Sequence, residues 1–235
     1  MKMLMLSFLL VWNSTVFSQE TAFFDAANTV FVTYVSDGKV DYAEIKKNPE
    51  TLNKALSLAA ESRVTPQNTE VYKAFWINAY NLAVIKGIVE TYPINSPLDK
   101  KGFFDEITYD LGGQKITLNA IENEFLRATF PQEARFHFAL VCAGLSCPPL
   151  IDQAYYPDTL KNRLQKQTIA ALNDPNFIKV KGKKVAVSMI FKWYAADFER
   201  QGGVLSFINN FKTKKLPEDA VMSFYDYDWA LNEQK

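Results

Sequence analysis

The amino-acid sequence predicts a mostly helical α+β domain with one central apolar strand and two β-hairpins. Three observations predict it. Apolar residues recur at helical spacing through much of the chain. Two pairs of short strand-like runs are separated by Gly112-Gly113 and by Gly182-Lys183. A single dense apolar run over 136–142 has the length and composition of a buried strand. Helices, isolated hairpins and one lone strand, without a strand–helix–strand repeat, make α+β and not α/β.

The chain opens with Lys2, a short apolar run from Met3 to Trp12, and a polar break at Asn13-Ser14-Thr15. Val16 and Ser18 then stand at the −3 and −1 positions of a signal-peptidase site. The expectation is a signal peptide over 1–18, export to the periplasm or the medium, and one domain over 19–235. The apolar run is shorter than the about 20 residues a bilayer requires, and no integral membrane segment is expected once the signal is removed. The mature chain of about 217 residues suits one large domain.

The first helix is expected over 21–35, where Phe23, Phe24, Ala27, Val30, Phe31 and Tyr34 form one stripe. Asp37-Gly38 ends it, and Asp41 is placed to cap a short helix through Ile45. A further helix covers 51–60. Asn68 can cap a long helix over 70–92 that is apolar almost all round between Ala74 and Ile88, the mark of an element in the domain centre. Pro93 stops it. The first hairpin spans 107–117, and a helix follows from Thr117 or Asn119 to Arg127. The strand at 136–142 leaves through Ala143-Gly144-Leu145-Ser146, and Cys147-Pro148-Pro149-Leu150 reads as a first helical turn with Ser146 as its cap. A helix at 159–172, a hairpin over 177–187, a helix capped by Ser188 and a last helix at 204–211 complete the body. The alternating tail 221–229 is expected to add an edge strand.

Charge excludes several partners. Lys and Arg number 26 and Asp and Glu 26, with no basic block to attract nucleic acid or an anionic membrane. There is no phosphate loop, dinucleotide fingerprint, HExxH or GxSxG motif. No cofactor is therefore expected, and the expected partner is a small molecule or a peptide.

Four stretches carry a family resemblance: Phe75-Trp76-Ile77-Asn78-Ala79-Tyr80-Asn81, Leu118-Asn119-Ala120-Ile121-Glu122, Arg135 through Leu150, and Tyr225-Asp226-Tyr227-Asp228-Trp229 with Leu231-Asn232. Together they resemble the DUF547 family, a group named for lacking an assigned function, over about residues 40–232. The resemblance implies no activity, substrate or cofactor. It implies which positions to examine, and chemistry points to the same ones.

His137 is the only histidine, and Cys142 and Cys147 are the only cysteines. A thiol at a helix start is favoured as thiolate, and a histidine on a neighbouring strand can take its proton. This is the arrangement of papain-like thiol hydrolases and acyltransferases. Strand alternation turns His137 and Cys142 to opposite faces, so Cys147 is the expected nucleophile and His137 its base. Asn78, Asn81 or Glu122 would orient the imidazole. Two further readings stay open. An exported protein commonly joins two cysteines in a disulfide, here within a non-catalytic cell-envelope binding or scaffolding module. His137, Cys142 and Cys147 also make a Cys2His metal set with one open position. Asn78 and Asn81 have a structural alternative, tying the central helix to loop backbone. Glu122 has one as a capping or ion-pairing residue, and Asp197 reads as a helix-surface or cap residue.

Overall fold

A computed structural model describes residues 21–234; the expected signal segment lies outside the described residues. Helix α1 (21–34) buries Phe23, Phe24, Ala27, Val30, Phe31 and Tyr34, the stripe its spacing predicts. Strands β1 (Val35–Ser36) and β2 (Lys39–Val40) fold back across Asp37-Gly38, both of which have positive φ, at 51° and 77°. Asp41 caps α2 (Tyr42–Lys47) by accepting from the Glu44 N–H at 2.9 Å. Helix α3 (Glu50–Glu61) and the 23-residue α4 (Thr69–Thr91) follow.

Every residue of α4 from Tyr72 to Ile85 is buried. The other elements of the larger core pack around this helix, which explains its lack of a polar face. Among the described residues no helix is long and apolar enough to cross a membrane. The hairpin of β3 (Thr108–Leu111) and β4 (Gln114–Thr117) turns on Gly112 and Gly113, at φ 60° and 79°. Two positive φ values in succession define a type I′ turn, which suits paired glycines. Gly112 has a second reason to be glycine: an added Cβ would lie 2.8 Å from the Trp76 ring.

Thr117 caps the next helix through its hydroxyl, as expected. After the short α5 (Leu118–Ala120) the turn widens into a π-helix, Ile121–Arg127. The chain then makes a 3-10 helix (Ala134–Phe138), followed by α6 (Leu160–Asn173). Strands β5 (Ile178–Lys181) and β6 (Lys184–Val187) form the second hairpin, and the tail adds β7 (Val221–Phe224) in parallel to β6. Between them lie α7 (Ile190–Trp193), α8 (Ala195–Glu199) and α9 (Val204–Phe211). The result is the mostly helical α+β domain that the sequence predicts.

Two expectations are corrected. Residues 136–142 are not a strand: they form the end of the 3-10 helix and an irregular exit. The reason is visible in the packing. Two apolar clusters meet at this segment. Phe136 and Ala139 belong to the cluster around α4, while Ala134 and Phe138 belong to the one formed with α6 to α9 and the last sheet. Side chains three apart eclipse in a 3-10 helix, so Phe136 and Ala139 share a face and Phe138 takes another. Apolar residues on all sides then signal a seam between two cores, not a strand between two layers. The second correction concerns residues 147–150, which form no helical turn. Cys147 therefore gains nothing from a helix dipole.

An irregular buried segment needs partners for its backbone. Asn81 supplies them, its amide donating to Ala139 O at 2.9 Å and accepting from Val141 N at 3.0 Å. Asn78 does the same for Tyr155, donating to its carbonyl at 2.8 Å and accepting from its N–H at 3.0 Å. Both asparagines thus act from α4 as one-residue substitutes for a strand partner. Replacing Asn81 by alanine should strand a buried donor and a buried acceptor and lower stability by about 2–4 kcal/mol. Urea denaturation measures it, and an unchanged midpoint would contradict this role.

Candidate functional site

The site assembles where the π-helix, the 3-10 helix, α8 and the closing tail converge. The π-helix supplies Glu122 and Arg127; its wide turn is marked by the Ala128 N–H donating to Asn123 O, five residues back, at 3.0 Å. Such insertions concentrate at functional sites.

His137 comes from the 3-10 helix and is 4% exposed. Its Nε2 lies 2.8 Å from Asp197 Oδ2. Asp197, 5% exposed on α8, also accepts from Arg127 Nε at 2.6 Å and from Arg200 Nη1 at 2.8 Å. Burial pushes the Asp197 carboxyl up, but hydrogen bonds from His137 and Arg127, with the Arg127 charge, outweigh it and hold it well below the usual carboxylate range. An ionised carboxylate only accepts, so Nε2 carries the proton of this bond. In the neutral ring the lone pair then sits on Nδ1. That atom lies 4.0 Å from Glu122 Oε1, beyond hydrogen-bond reach.

Tyr194 holds the imidazole from the side. The two rings stack at 4.1 Å between centroids and 27°, and the Arg127 guanidinium lies 4.6 Å from the Tyr194 centroid. Burial first, then the charge and hydrogen bond of Glu122, push the Tyr194 phenol up. The phenol therefore stays protonated.

Cys142 and Cys147 sit at disulfide distance, with Cα atoms 6.4 Å apart. The Tyr227 hydroxyl lies 3.1 Å from Cys147 Sγ and 3.2 Å from Cys142 Sγ. The loop between the cysteines is pinned to the tail: Leu145 N donates to Ala230 O at 2.8 Å and Ser146 N to Asp228 O at 3.0 Å.

Several of these groups line a cavity of about 220 Å³, while Asp197 and Arg127 stand behind its wall-forming His137 and Tyr194. His137, Glu122 and the two cysteines form part of its wall, with Tyr80, Tyr194 and Tyr227 beside them. Phe104, Trp193 and Trp229 add aromatic surface. Trp193, Tyr227 and Trp229 touch one another, at centroid distances of 4.9, 5.9 and 4.8 Å.

Of the site residues expected from sequence, Cys147, His137 and Glu122 share this cavity. Asn78 and Asn81 do not line it; they bind loop backbone, and the group hydrogen-bonded to the imidazole is Asp197. From sequence Asp197 is expected on a helix surface or cap, whereas the structure buries it. The signal was its position: Ile190, Phe191, Asp197 and Phe198 are buried along α7 and α8, so an acid falls among their apolar side chains. Among the described residues, no group of three or more His, Cys, Asp or Glu side chains is arranged to hold a metal ion.

A family model described as "Protein of unknown function, DUF547" matches residues 65–170. Residues 65–170 are a DUF547 region. No curated protein and no solved structure matches the chain. The DUF547 region supplies Glu122, Arg127, His137 and both cysteines, whereas Trp193, Tyr194, Asp197, Tyr227 and Trp229 come from the chain that follows it. The cavity is therefore a joint product of the DUF547 region and the C-terminal segment.

Because the Asp197 carboxyl is held low in the folded chain, its contribution to stability is present above about pH 4 and is lost as pH falls through its folded-state value. Asp197→Asn should therefore be destabilised relative to wild type at neutral pH, with the gap closing as pH drops below about 4. Thermal melts of both proteins across pH test this; a gap that stays constant would contradict it.

Proposed function

We propose that this chain is an exported protein whose DUF547 cavity binds a small molecule or a peptide group and acts on it by proton transfer through His137. The observation that carries the reading is the bond from His137 Nε2 to Asp197. It fixes the tautomer and leaves Nδ1 beside Glu122 at the wall of a cavity with aromatic sides. An imidazole held at one nitrogen by a carboxylate is the form in which histidine serves as general base and then general acid. Nδ1 would take a proton from water or a substrate hydroxyl as that oxygen bonds to the reacting centre, and would return it to the leaving group as the bond to that group breaks. In this reading the cysteine pair braces the loop that carries one wall.

A second reading is a thiol-dependent hydrolase or acyltransferase with Cys147 as nucleophile. It is favoured by Cys147 sharing the cavity with His137 and by the Tyr227 hydroxyl at its sulfur. It requires the pair to be reduced, and it takes Asp197 as the third member in place of Asn78, Asn81 or Glu122. A non-catalytic envelope module is the remaining reading, and the Cys142–Cys147 pairing suits it.

One experiment separates the three. The mature protein is assayed on a panel of chromogenic esters and amides, with and without reductant, as wild type, His137→Ala and Cys147→Ser. Proton transfer through His137 predicts turnover that falls about 10²–10⁴-fold in His137→Ala and survives in Cys147→Ser without reductant. Turnover that appears only on reduction and vanishes in Cys147→Ser supports the thiol reading. No turnover under any condition supports the binding module.

A further inference from the structure

The cavity also carries information on ligand charge. Its lining contains one carboxylate, Glu122, together with aromatic side chains, and no Lys or Arg. The nearby cations of the chain are engaged elsewhere: Arg127 on Asp197 and Tyr194, Lys179 over the Tyr225 ring at 4.1 Å, and Lys192 over the Phe224 ring at 6.0 Å. Among the described residues, the one ion-pair contact of Glu122 is His137 at 4.0 Å. The Glu122 side chain is only 14% exposed, so the carboxylate is partly removed from water in a wall it shares with the Tyr194 phenol. A carboxylate in that setting favours a cation.

The aromatic rings favour the same charge. A ring face attracts a cation within about 6 Å, and several faces together are the common means of recognising alkylated ammonium groups. Tyr194 already carries His137 and Arg127, but Phe104, Trp193, Tyr227 and Trp229 do not. Trp193 is 45% exposed and lies at the cavity with its ring 5.9 Å from that of Trp229. On the far side of Cys147 a second groove is lined by Asp174, Asp226 and Asp228 against the single cation Lys179. The field at that side of the site therefore has the same sign. The volume of about 220 Å³ is below the roughly 300–1,000 Å³ of pockets for drug-sized ligands, so it fits a head group or a side chain.

We propose that the cavity walled by Glu122, Trp193, Tyr227 and Trp229 selects an alkylammonium group, with a quaternary ammonium preferred. The proposal rests on the reading that this cavity is the ligand site of the protein. Its source is either a free small molecule or the modified lysine of a peptide, and the chemistry is shared.

The test is calorimetric titration of the mature protein with choline, with its neutral carbon isostere 3,3-dimethylbutan-1-ol, and with 3,3-dimethylbutanoate. A short peptide containing trimethyllysine forms a separate arm. Choline or the peptide should bind about tenfold or more tightly than the neutral isostere, with the carboxylate weakest. Tighter binding of the peptide than of choline identifies a peptide source, and the reverse a free ligand. Glu122→Gln should lower the ratio of cation to neutral-isostere affinity, read within each variant, to about one. Because Glu122 is partly buried, Trp193→Leu serves as the second variant, at an exposed position, and should weaken cation binding. Equal or tighter binding of the neutral or anionic probe overturns the charge assignment and leaves the cavity a ligand site. No binding by any probe overturns both.

Discussion

The carboxylate of Asp197 is the constraint on which the site depends. It accepts hydrogen bonds from His137 of the 3-10 helix, Arg127 of the π-helix and Arg200 at the end of α8. The burial of Asp197 and Arg127 is unfavourable for either alone, and a buried charge is tolerated only with its partners in place. Asp197 without Arg127 would be a desolvated anion, and Arg127 without Asp197 a cation half withdrawn from water. The imidazole is hydrogen-bonded to the same carboxylate and stacked on Tyr194. The position of His137 therefore follows from charge pairing, and the cavity beside it follows from the position of His137.

This hub sits where the two apolar clusters meet. Phe136 and Phe138, the immediate neighbours of His137 on either side, are both fully buried and enter different clusters. Burying each contributes roughly 1.5–3 kcal/mol, so the backbone between them has little freedom to move the imidazole. The opposite wall is fixed by other means. The loop from Cys142 to Cys147 is closed by the cysteine pair and bonded to the tail at Asp228, Ala230 and Leu231. The tail in turn brings Tyr227 and Trp229 to the cavity. Rigid walls on both sides are what a preorganised binding site requires.

Much of the fold was legible because local rules decided it. The stripe in α1, the glycine turns of both hairpins, the Asp41 and Thr117 caps and the unbroken apolarity of α4 each follow from neighbours in sequence. What was not legible was decided by distant contacts. The run 136–142 has the composition of a strand, but it lies at a seam and Asn81 satisfies its backbone. Within the site, rare residue types drew attention to His137, Cys142 and Cys147, and the cavity does gather them. Asp197 lies sixty residues from His137, and nothing local sets it apart from a capping acid except its place among buried apolar side chains. Asn78 and Asn81 show the converse: polar residues in an apolar helix that mark backbone needing partners.

Because His137 is the only histidine, its two ring nitrogens can be read without ambiguity by nitrogen-15 NMR of the imidazole-labelled protein. Nε2 should carry a proton and, whenever the ring is neutral, Nδ1 should bear the lone pair, and that tautomer preference should be lost in Asp197→Asn. A neutral ring with its proton on Nδ1, or a spectrum indifferent to Asp197→Asn, would contradict it.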